Sequence, residues 1–182
     1  MDKGEVRKQL DEALKRHERG AVVMVEVPTD SYLDTNALLV DAMTSKTYDC
    51  IYLSLRPPFE KILSSLNAIP GKNKLFFIAA GGKAAAKFIP VNKNPDVEEI
   101  VWAIKAALPR LKSMKKFIFV DSLSSISENQ PLGELLRLSE YLSRLVRKRE
   151  IEGLILVFDS SYSNSEFIKD VALRVDEVIK IA

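Results

Sequence analysis

Chemistry in this chain would have to come from a small set of side chains gathered at the ends of apolar runs. Asp121 closes the run Phe117-Ile118-Phe119-Val120 and leads into Ser122-Leu123-Ser124. A carboxylate in that position can hold a cation, or it can hydrogen-bond the loop that leaves a buried strand. Thr29, Asp30, Ser31 and Asp34 follow the run Ala21 to Val27, in a turn that enters a helix. Asp30, Asp34 and Asp121 would share one sheet edge and could offer oxygens to a divalent ion, although a first helical turn favours carboxylates without any metal. Gly81-Gly82-Lys83, with Lys87 close behind, could cradle an anion in backbone N–H groups, the alternative being a plain glycine turn. One histidine, His17, and one cysteine, Cys50, cannot assemble a Ser/His/Asp or Cys/His set, nor a multi-cysteine metal site. The expectation is no catalytic residue and no metal centre.

Two alternating periods must position these groups. Ala21 to Val27, Cys50 to Leu55, Leu75 to Ala79, Phe117 to Val120, Leu154 to Phe158 and Val175 to Ile181 read as strands. Most are continuously apolar, as in a parallel sheet covered on both faces. Helix patterns lie between them. Val6, Leu10, Ala13 and Leu14 give one stripe, and Leu33, Ala37, Leu38 and Asp41 to Met43 a second, capped by Asp30 or Ser31. Pro57 and Pro58 open a third, with Ile62, Leu63 and Leu66 inward, and Asn94-Pro95 opens a fourth before Val97, Ile100, Val101 and Ile104. Leu132 to Arg149 is the longest predicted helix and Ser165 to Leu173 the last; Ala80 to Asn94 reads as an irregular surface loop. Strand–helix alternation of this kind predicts an α/β fold, a single doubly wound and mostly parallel sheet between helices. Ligands of such sheets sit at the strand C-termini, where Asp121 and the Thr29 to Asp34 turn fall.

In order and spacing, four segments resemble the RecA/KaiC-type ATPase cores, especially the small archaeal members with one such domain. Gly20 precedes an apolar strand and a turn into a helix, and Ile51-Tyr52-Leu53-Ser54-Leu55 is similar to the second strand. Phe119-Val120-Asp121-Ser122-Leu123-Ser124 is similar to the Walker B segment, and Val175-Asp176-Glu177-Val178-Ile179 to the closing strand. The resemblance spans almost the whole chain and implies one RecA-like domain over residues 1–182.

The departures from that family are concentrated where its chemistry lies. Its phosphate loop, G-x-x-x-x-G-K-[ST], uses glycines to bring N–H groups to the phosphates, a lysine to neutralise them and a hydroxyl to hold magnesium. Here Val27 and Tyr32 fall at the glycines, Leu33 at the lysine and Asp34 at the hydroxyl, and Asp30 adds a carboxylate to the same turn. A carboxylate about 4 Å from a phosphate oxygen is repelled by several kcal/mol at an effective dielectric near 20. The family's catalytic glutamate follows the second strand, where this chain has Arg56, which stays protonated and cannot serve as a base. The resemblance and its departures together imply a degenerate Walker A loop (Thr29, Asp30, Ser31 and Asp34), a Walker B-like Asp121 without its metal, no ATPase activity, and no nucleotide or magnesium cofactor.

Composition bounds the rest. The 182 residues are 47% hydrophobic and 29% charged with a formal charge of +2, so neither disorder nor a strong polyanion preference is expected. The charged start Met1-Asp2-Lys3-Gly4-Glu5 and apolar runs as short as Leu154 to Phe158 predict no signal peptide, no membrane span and a cytoplasmic location. The expected role is a regulatory or scaffolding protein that associates with itself or with a protein partner. The alternatives are an anion or nucleotide module at Gly81 to Lys83, and a nucleic-acid accessory factor using the basic residues of Arg144 to Arg149.

Overall fold

The computed structural model describes residues 3–17, 20–45, 48–55, 59–81, 85–128, 130–148 and 151–181. The apolar runs pair edge to edge because neither of their faces is polar enough to meet water. The strands are β1 (Ala21–Val27), β2 (Asp49–Ser54), β3 (Leu75–Ala80), β4 (Phe88–Val91), β5 (Lys116–Asp121), β6 (Gly153–Asp159) and β7 (Glu177–Lys180). They form one sheet in the order β4-β3-β2-β5-β6-β1-β7, every pair parallel. Helices α1 (Lys3–Arg16), α2 (Tyr32–Thr44) and α3 (Phe59–Leu66) cover one face. Helices α4 (Val97–Ala107), α5 (Leu123–Ser127), α6 (Leu132–Lys148) and α7 (Glu166–Ala172) cover the other. The α/β, parallel, helix-sandwiched architecture read from the sequence is the one observed.

Three local expectations change. The stretch from Ala80 to Asn94 contains β4, hidden in the sequence by Pro90, which a strand tolerates at a sheet edge where its missing N–H has no ladder bond to make. Helix α4 is capped by Asp96, whose side chain accepts from the Glu99 amide, rather than by Asn94. Neither Asp30 nor Ser31 caps α2 through its side chain, because a 3-10 turn, Thr29–Ser31, precedes the helix and Ser31 makes no cap bond. Pro57 and Pro58, assigned to the start of α3, lie outside the described residues.

The buried face of α2 also differs from the apolar stripe. Ala42 and Met43 are buried as the stripe requires, and so are Tyr32, Thr35, Asn36, Leu39 and Val40, whereas Leu33, Ala37 and Leu38 are only half-buried. The first turns of α2 lie over polar groups at the C-terminal sheet edge, so polar residues point inward there and apolar ones are left outside. Near its other end, Gly71 lets the 3-10 turn Pro70–Lys74 press against α2. A Cβ on Gly71 would stand 2.0 Å from Thr44 Oγ1, so no larger residue fits without displacing one of the two segments.

Candidate functional site

The pleat of β5 decides which way Asp121 points. Phe117 and Phe119 face α1–α3 and Ile118 and Val120 face the opposite layer, so Asp121 falls on the α1–α3 side at the strand's C-terminal end. It is fully buried. Tyr52 sits opposite Phe119 in the β2–β5 register, with their rings stacked at 5.0 Å, and its hydroxyl reaches forward to donate to Asp121 Oδ2 at 2.5 Å. Tyr32, the first residue of α2, donates its hydroxyl to Asp121 Oδ1 at 2.6 Å. Both carboxylate oxygens are thus engaged by phenols from two elements. Asn36 lies in the same buried cluster, and neither its amide nor the Ser54 hydroxyl on β2 makes a hydrogen bond.

One strand away, Asp159 ends β6 opposite Val27. Its Oδ1 accepts from Thr29 Oγ1 at 2.6 Å, from Ser161 Oγ at 2.7 Å and from the Ser161 amide at 3.0 Å. The turn after β1 is therefore tied down twice, through Thr29 to β6 and through Tyr32 to β5. Its backbone folds inward on itself, with the Ser31 amide donating to the Pro28 carbonyl at 3.3 Å. Pro28, Ser31 and Tyr32 all have negative φ, whereas an anion nest alternates right- and left-handed residues.

Burial pushes both phenols well above their ordinary range, reinforced by the Asp121 charge and by donation to it. Raised folded-state values mean that the stability these groups supply is intact below the unfolded value near 10 and lost as pH climbs above it. In an alkaline titration, two of the five tyrosines should ionise only together with loss of the far-ultraviolet circular dichroism. Ionisation of all five in a protein that keeps its secondary structure would contradict the placement of Tyr32 and Tyr52.

Among the described residues, the other predicted acidic, glycine and basic residues do not gather around Asp121. Asp30 is exposed, Asp34 is exposed on the outer side of α2, and Ser31 accepts from Thr35 Oγ1 at 3.3 Å. Among the described residues no group of three or more acidic, histidine or cysteine side chains is placed to hold a metal ion, and Asp30 and Asp34 are exposed whereas Asp121 is buried. Gly81 follows β3 with a left-handed φ of 80°. Gly82 and Lys83 lie outside the described residues, as does Arg56, and the Lys87 ammonium donates to the Asn73 carbonyl. On the basic face, Arg144 pairs with Glu140 and Arg147 with Asp176, and Arg149 lies outside the described residues. Cys50 is buried and its thiol is pushed up by burial.

Sequence reasoning misses the two tyrosines and Asp159. A signal for Tyr52 is present: a phenol in an otherwise apolar strand, with a carboxylate ending another strand of the same sheet. Tyr32 reads in the sequence only as a missing glycine. A further feature is a groove of about 680 Å³ between α2 and the segment from α3 to Pro70. Ala37, Leu38, Ala68 and Ile69 supply its apolar lining, and Asp34 and Asp41 supply carboxylates.

No family model and no curated protein matches the chain. Solved structures do. An uncharacterised protein from Pyrococcus horikoshii, determined in complex with an unknown peptide, superposes with a TM-score of 0.65 at 13% identity, over 95% of this chain and 82% of that one. The RadB recombinase superposes with a TM-score of 0.59 at 14% identity, over 95% of this chain and 80% of that one. These likenesses establish a RecA-like fold. Among the described residues no helix is long and apolar enough to cross a membrane.

Proposed function

We propose that this RecA-like chain is a non-catalytic member of the RecA/KaiC type, a regulatory or scaffolding protein that works by assembling with itself or with another protein. The observation that carries the reading is the state of Asp121, buried with both oxygens accepting from Tyr32 and Tyr52. A magnesium nucleotide at this edge would need that carboxylate turned toward metal-bound water, a cation beside the phosphates and a cradle of N–H groups. Instead Tyr32 covers the carboxylate, Thr29 is drawn to Asp159, and the turn uses an amide on its own backbone. The residues present do not fit a magnesium nucleotide, and 27–34 reads as a degenerate phosphate loop closed by side chains. Such a closed edge keeps the scaffold and leaves its surfaces as the means of action. The peptide held by the Pyrococcus horikoshii neighbour gives a precedent for this fold engaging another polypeptide.

The test has two arms. Purified protein should release phosphate from magnesium ATP no faster than buffer, and light scattering should give a mass above one chain, alone or with a captured protein. Turnover that disappears in an Asp121→Asn variant would overturn the reading.

A further inference from the structure

The assembly reading needs a surface, and the inversion of α2 supplies one half of it. Ala37 and Leu38 are turned out into the groove, where Asp34 and Asp41 stand two helical turns apart, about 10.5 Å along the axis. Among the described residues neither carboxylate makes a hydrogen bond or ion pair. The groove therefore combines an apolar floor with two uncompensated negative charges. What fits it is an apolar side chain carrying a donor, with a cation close by.

The other half lies across the sheet. Trp102 on α4 is 62% exposed, and its indole has an N–H to donate. Lys105, one turn further along the same side of α4, and Arg110 just beyond the helix are both exposed cations. Lys105 lies over the Tyr141 ring at 5.6 Å and Arg110 over Phe76 at 5.7 Å, contacts that leave their N–H donors for a carboxylate. The acidic residues of this stretch are directed elsewhere: Glu99 bonds Asn92 at 2.8 Å, and Glu98 faces Arg137 at 3.9 Å. Tryptophan is the residue type most enriched at the energetic centres of interfaces.

We propose, resting on the assembly reading above, that Trp102 and Lys105 of one copy dock into the α2 groove of a second copy, the indole on Ala37 and Leu38 and the cation toward Asp34 and Asp41. Knob and groove lie on opposite faces of the sheet, so the contact is head-to-tail and each added copy exposes a new groove and a new knob. A tryptophan buries roughly 150–250 Å², well short of the roughly 1,000 Å² of a stable interface. The flanking surfaces of α4 and of α2–α3 must be covered as well, and assembly should depend on protein concentration.

Two variants that each lack one half of the contact test this. Trp102→Ala keeps the groove and loses the knob; Ala37→Glu with Leu38→Glu keeps the knob and loses the groove. Asp34→Lys with Asp41→Lys, on the outer side of α2, replaces the second variant should it not fold by circular dichroism. Light scattering should show wild-type mass rising with concentration and each variant alone at the chain mass of 20.4 kDa. An equimolar mixture should give a species of twice that mass and no larger one, because one intact knob and one intact groove remain. If Trp102→Ala assembles as the wild type does, the docking is overturned while the scaffolding role stands. A mixture that stays at the chain mass overturns it too. So does a wild type that stays at one chain while a lysine-flanked tryptophan peptide binds the groove, which would assign it to a different protein. ATP turnover would instead sink the functional reading, and the interface would still stand or fall on the measured masses.

Discussion

Asp121→Ala should lower the stability of the fold by about 2–6 kcal/mol, because it leaves two buried phenols without an acceptor at about 1–3 kcal/mol each. For a chain of this size that is a fall in melting temperature of roughly 4–24 °C. A relic metal ligand at an open, watered edge would behave differently, since its removal frees no buried donor. Asp121→Asn should lose about 1–2 kcal/mol, as the amide oxygen can still accept from one tyrosine. Asp30→Ala, on an exposed carboxylate of the same turn, should stay within about 0.5 kcal/mol of the wild type. Urea unfolding of the three variants measures the series. Equal effects at Asp121 and Asp30 would contradict the clamp.

The second large effect is expected on reopening the turn. If 27–34 is the degenerate phosphate loop proposed above, Tyr32→Gly with Leu33→Lys and Asp34→Thr would restore a glycine, the lysine and the hydroxyl, and would leave Val27 in β1, where it is fully buried opposite Asp159. Losing the Tyr32 ring and its bond to Asp121 should cost about 3–5 kcal/mol. Against the roughly 5–15 kcal/mol of a typical domain, the fold survives that loss wherever the wild type holds more than about 6 kcal/mol, which the same urea unfolding measures. With Asp121 uncovered and free N–H groups at the start of α2, magnesium ATP should bind weakly, with a Kd of about 1 mM, or near −4 kcal/mol. On the same reading hydrolysis should not return, because Arg56 follows β2 in the sequence and, always protonated, cannot activate a water. A folded triple variant with no nucleotide affinity would show that the turn does not follow a phosphate-cradling course.

The sequence is most legible where physics is one-dimensional. Short, continuously apolar runs rich in β-branched and aromatic residues and separated by helical patterns read as strands covered on both faces, so β1, β2, β3, β5 and β6 and the parallel sheet follow from them. Asp121 can be placed at a strand C-terminus for the same reason. The rest depends on what faces what. The inner side of α2 departs from its apolar stripe because Thr35 and Asn36 are buried beside polar neighbours rather than water, which a stripe cannot anticipate. The partners of Asp121 are not legible because the contact spans 89 residues to Tyr32 and 69 to Tyr52, and depends on the β2–β5 register. Strand β4 is masked by Pro90, whose cost vanishes at an edge. The groove arises from the same inversion of α2 that defeats the stripe.

A calorimetric titration of the wild-type protein with magnesium ATP, paired with thermal unfolding at the same ligand concentrations, tests the central claim most directly. With Tyr32 and Tyr52 holding Asp121, the titration should give no saturable heat and the unfolding midpoint should not move. Saturable binding, with a stabilisation of about 2.7 kcal/mol at a ligand concentration a hundredfold above its Kd, would contradict the closed site and the non-catalytic role built on it.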